Sequence, residues 1–330
     1  MFIFPAILVI SWTVCAQSMT YPLWPLPKEV SLGNSTLVLD KEFKLIQTSS
    51  SLLLDRAIGR YNKLIGDTSG EGSISECSID AMDISEDTLT LGVDESYALS
   101  ITSDGSCNIN ANTIWGALRG LETFTQLLER SETSTVNDTN NMKYKINISP
   151  IPSGDSTKVQ STVSCRYTPV LINDSARFTH RGVMIDTSRH YLPISSILRI
   201  IDSLPISKFN VLHWHTVDAQ SFPLSLPSAP ELVKGAYTPG MIYTTTDLST
   251  INSYALDRGV RIVYEVDVPG HAASWTAGYP QIMADCFVKY SYNINDFALN
   301  PTMNETYDTV NKVLTDIVSA TGAQYMHIGK

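Results

Sequence analysis

Arg181-Gly-Val-Met-Ile-Asp-Thr-Ser-Arg-His-Tyr-Leu-Pro193, Ile194-Ser-Ser-Ile-Leu-Arg-Ile-Ile-Asp-Ser-Leu204 and Lys208-Phe-Asn-Val-Leu-His-Trp-His215 form the stretch on which the fold turns. Gly182 to Ile185 reads as a short apolar strand that ends in polar residues. Pro193 suits the first turn of a helix, and Ile194, Ile197, Leu198 and Ile201 then recur at helical spacing. Phe209 to His213 reads as a second strand. Strand, amphipathic helix and strand within about 35 residues make a βαβ unit, with parallel pairing and a right-handed crossover. Both strands finish in residues too polar for a core: Asp186, Arg189 and His190 on one, His213, Trp214, His215 and Asp218 on the other. Parallel α/β folds gather their chemistry at the C-terminal ends of strands, so function is expected here.

The same pattern continues downstream. A long loop from Asp218 to Thr246 contains Phe222-Pro, Leu226-Pro and Thr238-Pro-Gly, and loops of that length usually carry function. Asp247 is expected to cap a helix through Leu248, Ile251, Tyr254 and Ala255 to Arg258, with Gly259 as its stop. Val260 to Val266 is a third strand. It leads into Glu265-Val-Asp-Val-Pro-Gly-His271, a sharp turn presenting two carboxylates and a histidine. Tyr307 to Val318 is a helix with Val310, Val313, Leu314 and Ile317 as its stripe, and Gln324 to Lys330 is a fourth strand. Four strands of this kind make half of a (β/α)8 TIM barrel. The alternative, a doubly wound sheet, lacks its Gly-x-Gly-x-x-Gly signature after the first strand. A complete barrel takes about 250 residues, so residues 176–330 are expected to form a barrel truncated after about four strands, or a smaller fold.

Upstream, residues 22–165 read as a small α+β domain. Strands are expected at Ser35–Leu39, Phe43–Ile46, Thr88–Gly92, Tyr97–Ile101 and Tyr144–Ile148. One helix covers Leu52 to Leu64, with Leu53, Ile58, Tyr61 and Leu64 sharing a face. A second, capped by Asn112, runs through Ile114, Trp115, Leu118, Leu121 and Phe124 to Leu128 and lies on the sheet. Ser131–Asn141 is a polar loop, and the polar stretch Ser149–Ser164 marks the boundary. No chemistry is visible in this part.

The 330 residues carry a net charge of -10, and only 17% are charged. Without a basic run, neither nucleic acid nor an anionic membrane is expected as the main partner. The 15 Tyr and 5 Trp suit a sugar-binding surface, although aromatic rings serve equally as core. Phe2 to Ile10 is apolar and Val14-Cys-Ala16 resembles a peptidase site, so residues 1–16 are expected to be a signal peptide. The run is too short to span a bilayer comfortably; the lack of Lys or Arg before it leaves a membrane-anchored start as the alternative. The destination is then the secretory pathway, lysosome or extracellular space. Sequons at Asn34, Asn137, Asn147, Asn173 and Asn304 fit that route, Asn147 least well because Pro150 follows Ser149.

Without the leader, Cys77, Cys107, Cys165 and Cys286 remain, which allows three pairings. A Cys77–Cys107 bridge closes a loop of about 30 residues, worth about 2–4 kcal/mol. No Cys-x-x-Cys or His/Cys metal spacing is present, so no metal site is expected. His213 and His215 are expected to point to opposite faces of their strand and to serve structure.

Four motifs carry a family resemblance: Thr113-Ile-Trp-Gly-Ala-Leu-Arg-Gly-Leu-Glu-Thr-Phe124, His180-Arg-Gly-Val-Met-Ile-Asp-Thr-Ser-Arg-His-Tyr191, Phe209-Asn-Val-Leu-His-Trp-His-Thr-Val-Asp218 and Glu265-Val-Asp-Val-Pro-Gly-His-Ala-Ala-Ser-Trp275. In this order and spacing they resemble the eukaryotic β-N-acetylhexosaminidases of glycoside hydrolase family 20, across essentially the whole mature chain. The resemblance implies an α+β domain followed by a (β/α)8 barrel. It implies release of terminal N-acetylglucosamine or N-acetylgalactosamine from glycans with retention, without a cofactor, and a homodimer in the full-length form. The implied chemistry is substrate-assisted: the 2-acetamido oxygen attacks the anomeric carbon, in place of an enzymic nucleophile.

By the same resemblance Arg189 binds hydroxyls of the terminal sugar, while Asp218 orients His271 in a relay to the general acid. The alternative for Arg189 is a salt bridge to Asp186 or Asp218. The family carries its acid pair in His-x-Gly-Gly-Asp-Glu at the end of the fourth strand, where this chain reads His327-Ile-Gly-Lys330. Glu265 and Asp267 are not that pair. The expectation is therefore an inactive polypeptide of these residues, with glycan binding or modulation of a partner as its alternative role. Cys286 resembles a cysteine whose partner lies beyond the catalytic Glu; a Cys165–Cys286 bridge is the alternative.

Overall fold

The computed structural model describes residues 22–84, 89–132, 161–284 and 297–329. The expected signal peptide, the strand at Tyr144–Ile148, the sequons at Asn137 and Asn147, Cys286 and Lys330 lie outside them.

One six-stranded sheet is built from β1 (Glu29–Gln47), β2 (Ile74–Asp83), β3 (Tyr97–Ile101), β4 (Cys107–Thr113), β5 (Leu128–Glu132) and β6 (Ser161–Asp174), in the order β1-β2-β4-β3-β6-β5 with β6 also pairing to β1. The two strands expected within residues 35–46 are parts of the single β1, whose register shifts near Leu39 and Lys44. β2 was not expected: its buried residues Ile74, Cys77, Ile79 and Ala81 are diluted by polar neighbours. Leu89 to Gly92, expected as a strand, is coil and turn, although the Leu89 side chain is buried. β6 carries the sheet to Asp174, beyond the expected boundary at residue 165.

α1 (Leu52–Ile65) starts where the Ser51 hydroxyl accepts the Leu54 N–H, and it buries Leu53, Leu54, Ala57 and Ile65. Leu64 is exposed, so the buried stripe is rotated from the expected face. α2 (Ile114–Gln126) is capped by Thr113, whose hydroxyl accepts the Gly116 N–H at 3.3 Å. Asn112, the expected cap, lies one residue too early and instead donates to Asp94 at 2.7 Å. A disulfide joins Cys77 of β2 to Cys107 of β4, which stand opposite each other in register. Cys165 is a free thiol buried in β6, and burial pushes its pKa up to about 12.

The second sheet is parallel, in the order β7-β8-β11-β12, from β7 (Gly182–Asp186), β8 (Val211–Val217), β11 (Arg261–Val266) and β12 (Met326–His327). Helices α3 (Ile194–Ser203), α4 (Thr245–Leu256) and α5 (Asn304–Thr321) connect successive strands. The helical spacing holds in α3, where Ile197 and Ile201 are buried. α4 opens with a capping box between Thr244 and Asp247, so the cap is Thr244 and Asp247 occupies the third helical position. β8 extends beyond the expected His213 to Val217, which puts His213 and His215 inside the strand. The long loop holds two-residue strands β9 (Leu224–Ser225) and β10 (Tyr243–Thr244), and it buries Phe222, Leu226 and Leu232.

Between the two sheets lies α2, buried from Ile114 to Phe124, as expected of a helix covered on more than one side. Its Arg119 donates to Glu95 at 2.7 Å and to the Gly259 carbonyl at 2.6 Å. Glu95 also accepts from Arg181 at 2.6 Å and Asn210 at 3.0 Å. Lys208 pairs with Asp174 at 2.6 Å. The six-stranded sheet and its helix α2 are therefore tied by charged side chains to the segments that begin β7, β8 and β11.

Candidate active site

The polar ends of β7, β8 and β11 converge. Asp186, the last residue of β7, accepts the backbone N–H groups of Ser188 and Arg189, each at 3.0 Å. That tight turn brings the Arg189 guanidinium back to Asp186 at 2.8 Å. Arg189 also reaches Asp218 at 2.8 Å and donates to Gln220 at 3.0 Å. Both alternatives for its salt bridge are thus realised together. Burial works against the charged guanidinium, but Asp186 and Asp218 outweigh it and hold its pKa above the ordinary arginine value. The side chain remains 37% exposed, so part of the guanidinium still faces solvent although each of its nitrogens is already engaged.

Asp218 is the hub. It follows β8, is 0% exposed, and besides Arg189 it receives His215 Nε2 at 2.8 Å and His271 Nδ1 at 3.1 Å. Its own carbonyl accepts the Ser274 hydroxyl at 2.6 Å, tying the loop after β11 to the end of β8. His271 has a φ of 55°, a left-handed conformation that turns the chain sharply after β11. Its ring is 43% exposed, and with Nδ1 on Asp218 the other nitrogen, Nε2, is left for a second partner. The structure thus brings together Arg189, Asp218 and His271, the three residues singled out from the sequence. His190 is exposed and makes no part of this cluster.

His213 and His215 do not face apart. Residues two apart on a strand share a face, and both imidazoles reach Glu265, at 2.5 and 3.0 Å. Trp214 between them points the other way, fully buried, with its indole N–H on Thr187. The hydrogen bonds to Glu265 and Asp218 raise the pKa of His215 despite its burial. Gln220 and Tyr237, whose hydroxyl donates to the Arg189 carbonyl at 3.2 Å, come from the long loop and carried no linear signal.

Glu265 and Asp267 form a carboxyl pair. Burial and the neighbouring Glu265 push Asp267 up to about 6. Glu265 is held low: burial opposes this, but hydrogen bonds from Asp267 and His215 prevail. Below about pH 6 the proton of the pair therefore sits on Asp267 and Glu265 carries the charge. Asp267 Oδ1 is buried without a hydrogen-bond partner among the described residues. It lies against Gly329, where a Cβ would come within 2.4 Å of it and φ is +81°, so only glycine suits that position. A carboxyl whose pKa is raised by folding stabilises the fold fully below the ordinary aspartate value, and that contribution is lost as pH rises through about 6. Asp267→Asn stays neutral throughout. We expect its urea midpoint to fall less than that of the wild type between about pH 4 and about pH 7; parallel pH profiles would exclude the shared proton.

Comparisons with known proteins agree with one another. Residues 178–330 match the family described as "Glycosyl hydrolase family 20, catalytic domain", and residues 67–127 match "beta-acetyl hexosaminidase like". The chain is 38% identical to Beta-hexosaminidase 1 of Arabidopsis thaliana over 95% of its own length and 56% of that protein. It is 34% identical to the human Beta-hexosaminidase subunit beta over 93% of its length and 53% of the relative. The chain thus spans about half the length of the curated relatives it matches. Among solved structures, the Flavobacterium johnsoniae chitobiase aligns with a TM-score of 0.70 at 26% identity, covering 94% of this chain and 44% of that one. Streptomyces plicatus N-acetyl-beta-hexosaminidase in complex with Thio-NAglucal shares the fold, with a TM-score of 0.69 at 23% identity, over 93% of this chain and 58% of that one.

Proposed function

Because this chain belongs to glycosyl hydrolase family 20, we propose that it carries the sugar-binding half of a retaining β-N-acetylhexosaminidase. The observation that carries this reading is the Arg189–Asp218–His271 cluster at the C-terminal ends of parallel strands. The guanidinium, braced by Asp186 and Asp218, can turn its remaining N–H groups to sugar hydroxyls. His271, oriented through Nδ1 by Asp218, offers Nε2 to an acid at the site.

On this reading the substrate's acetamido oxygen forms a bond to the anomeric carbon as the glycosidic C–O bond breaks. A general acid gives its proton to the leaving oxygen, and water then opens the cyclic intermediate. By the family's motif its Asp-Glu pair would begin two positions beyond Gly329. A polypeptide limited to these 330 residues holds no such pair there, and we propose that it does not turn over substrate. Binding a glycan or a partner is its second reading. The edge strands β7 and β12 favour it, since among the described residues each pairs on one side only and Met184 on β7 is 59% exposed. In the first reading the remaining strands of an eight-stranded barrel cover those edges. Exposure of Asn34, Asn173 and Asn304 supports their use as glycosylation sites and, with the apolar run from Phe2 to Ile10, a lysosomal or extracellular destination.

The test is a side-by-side assay on an aryl N-acetyl-β-glucosaminide. The protein as its own transcript encodes it should hydrolyse the substrate, and the purified 330-residue polypeptide should not. Hydrolysis by the short polypeptide beyond trace contamination would overturn the assignment of the acid; inactivity of the transcript-encoded protein would overturn the hexosaminidase reading.

A further inference from the structure

Glu265 is surrounded by more imidazole than the Arg189 cluster uses. His213 Nε2 and His215 Nδ1 face Glu265 Oε2 at 2.5 and 3.0 Å, and His327 Nδ1 faces Glu265 Oε1 at 3.2 Å. His215 is also engaged by Asp218. His213 and His327 are free of that cluster, their ring centroids are 5.0 Å apart, and their side chains are 26% and 44% exposed. One donor atom from each of His213, Glu265 and His327 lies within 4.8 Å of the other two.

These positions are fixed by backbone. They stand on β8, β11 and β12, adjacent strands of one parallel sheet, with Glu265 directly opposite His327 and His213 opposite Val263. The hydrogen bonding at His327 is also in conflict. Its Nδ1 accepts the Gly329 N–H at 3.1 Å, which requires a lone pair, yet the same atom faces the Glu265 carboxylate. With the lone pair on nitrogen the two groups repel, and a cation between them removes that repulsion.

We propose that His213, Glu265 and His327 form a binding site for one divalent ion of the zinc type. Two imidazoles and one carboxylate favour Zn2+, Co2+ or Ni2+ over Mg2+ and Ca2+, which take oxygen ligands. Tetrahedral zinc with bonds near 2.0–2.1 Å keeps its donors about 3.3 Å apart. The 3.2 Å between Glu265 and His327 already fits, and a small ring movement opens the His213 side. Water reaches the remaining position past the half-exposed rings. Behind the carboxylate, His215 holds Glu265 Oε2 and is itself held by Asp218, the outer arrangement that steadies metal ligands. The neighbouring trio of His215, Asp218 and Asp267 is unsuitable, because the Arg189 guanidinium already sits on Asp218. No linear spacing betrays the site, since its ligands come from three strands far apart in sequence. It stands whether or not the hexosaminidase reading holds, and an ion there would pin the two-residue β12 to its neighbours.

The test is calorimetric titration of the untagged 330-residue chain with ZnCl2 and with MgCl2, alongside His213→Gln, His327→Gln and, as a control, His190→Gln. We expect one equivalent of Zn2+ at micromolar affinity, no Mg2+, and affinity lower by at least about tenfold in each of the first two variants but not in the control. A measurement that needs no variant is the Gly329 amide resonance, which should shift on adding one equivalent of Zn2+ as Nδ1 exchanges its hydrogen bond for the metal. No saturable Zn2+ uptake, wild-type affinity in both ligand variants, or an unmoved Gly329 resonance would each overturn the site.

Discussion

Asp218→Asn should lower kcat of the transcript-encoded protein on an aryl N-acetyl-β-glucosaminide by about a hundred- to ten-thousand-fold, with a much smaller change in KM. The side chain keeps its size, so its buried place is still filled. Its chemistry is reversed: Asp218 accepts from Arg189, His215 and His271 at once, while an amide can accept through only one atom and must donate through the other. The donating NH2 favours the wrong tautomer of His271 and leaves Arg189 short of a counter-charge. A role confined to packing predicts little change in kcat, so a loss of less than about threefold would remove the relay from the mechanism.

Glu95→Ala should destabilise the folded chain by about 3–5 kcal/mol, the range found when one partner of a buried ion pair is removed. Glu95 and Arg119 are each 3% exposed in their side chains, and Arg181 and Asn210 share the same carboxylate. Without it, Arg119 keeps among the described residues the Gly259 carbonyl as its acceptor. Burial alone would raise the Glu95 pKa, but the guanidiniums of Arg119 and Arg181 prevail and hold it below the usual carboxylate range. Its contribution is therefore present above the ordinary glutamate pKa and is lost as pH falls through the lower folded value. Urea unfolding should show a large difference between wild type and Glu95→Ala at neutral pH that narrows in acid. A difference below about 1 kcal/mol at neutral pH would mean that water already satisfies Arg119.

The parallel half of the fold was legible because buried strands and amphipathic helices alternate there without interruption. Ile197 and Ile201 on α3, and Val313 and Ile317 on α5, are buried where the spacing puts them. The polar ends of β7 and β11 were equally legible, since Arg189 and His271 could not be core. The first sheet was harder to read. β2 pairs on both sides, but its sequence alternates buried residues with Glu76, Asp80 and Asp83, so composition argued against a strand that tertiary pairing makes. The caps of α2 and α4 were missed by one and three residues, because Asn112 and Thr113, or Thr244 and Asp247, are both good caps in isolation and only the backbone path decides between them. The pairing of His213 and His215 on Glu265 needed only the two-residue period of a strand. Glu95 gave no local sign at all: its partners lie at positions 119, 181 and 210, joined only when the two sheets pack around α2.

That these residues form the sugar-binding half of a β-N-acetylhexosaminidase is tested most directly by kcat/KM of the transcript-encoded protein on an aryl N-acetyl-β-glucosaminide and on the aryl β-glucoside that lacks the acetamido group. Hydrolysis should require the acetamido group, since its oxygen supplies the nucleophile, and Arg189→Ala should abolish what activity there is. Comparable turnover of the two substrates, or full activity in Arg189→Ala, would contradict the assignment.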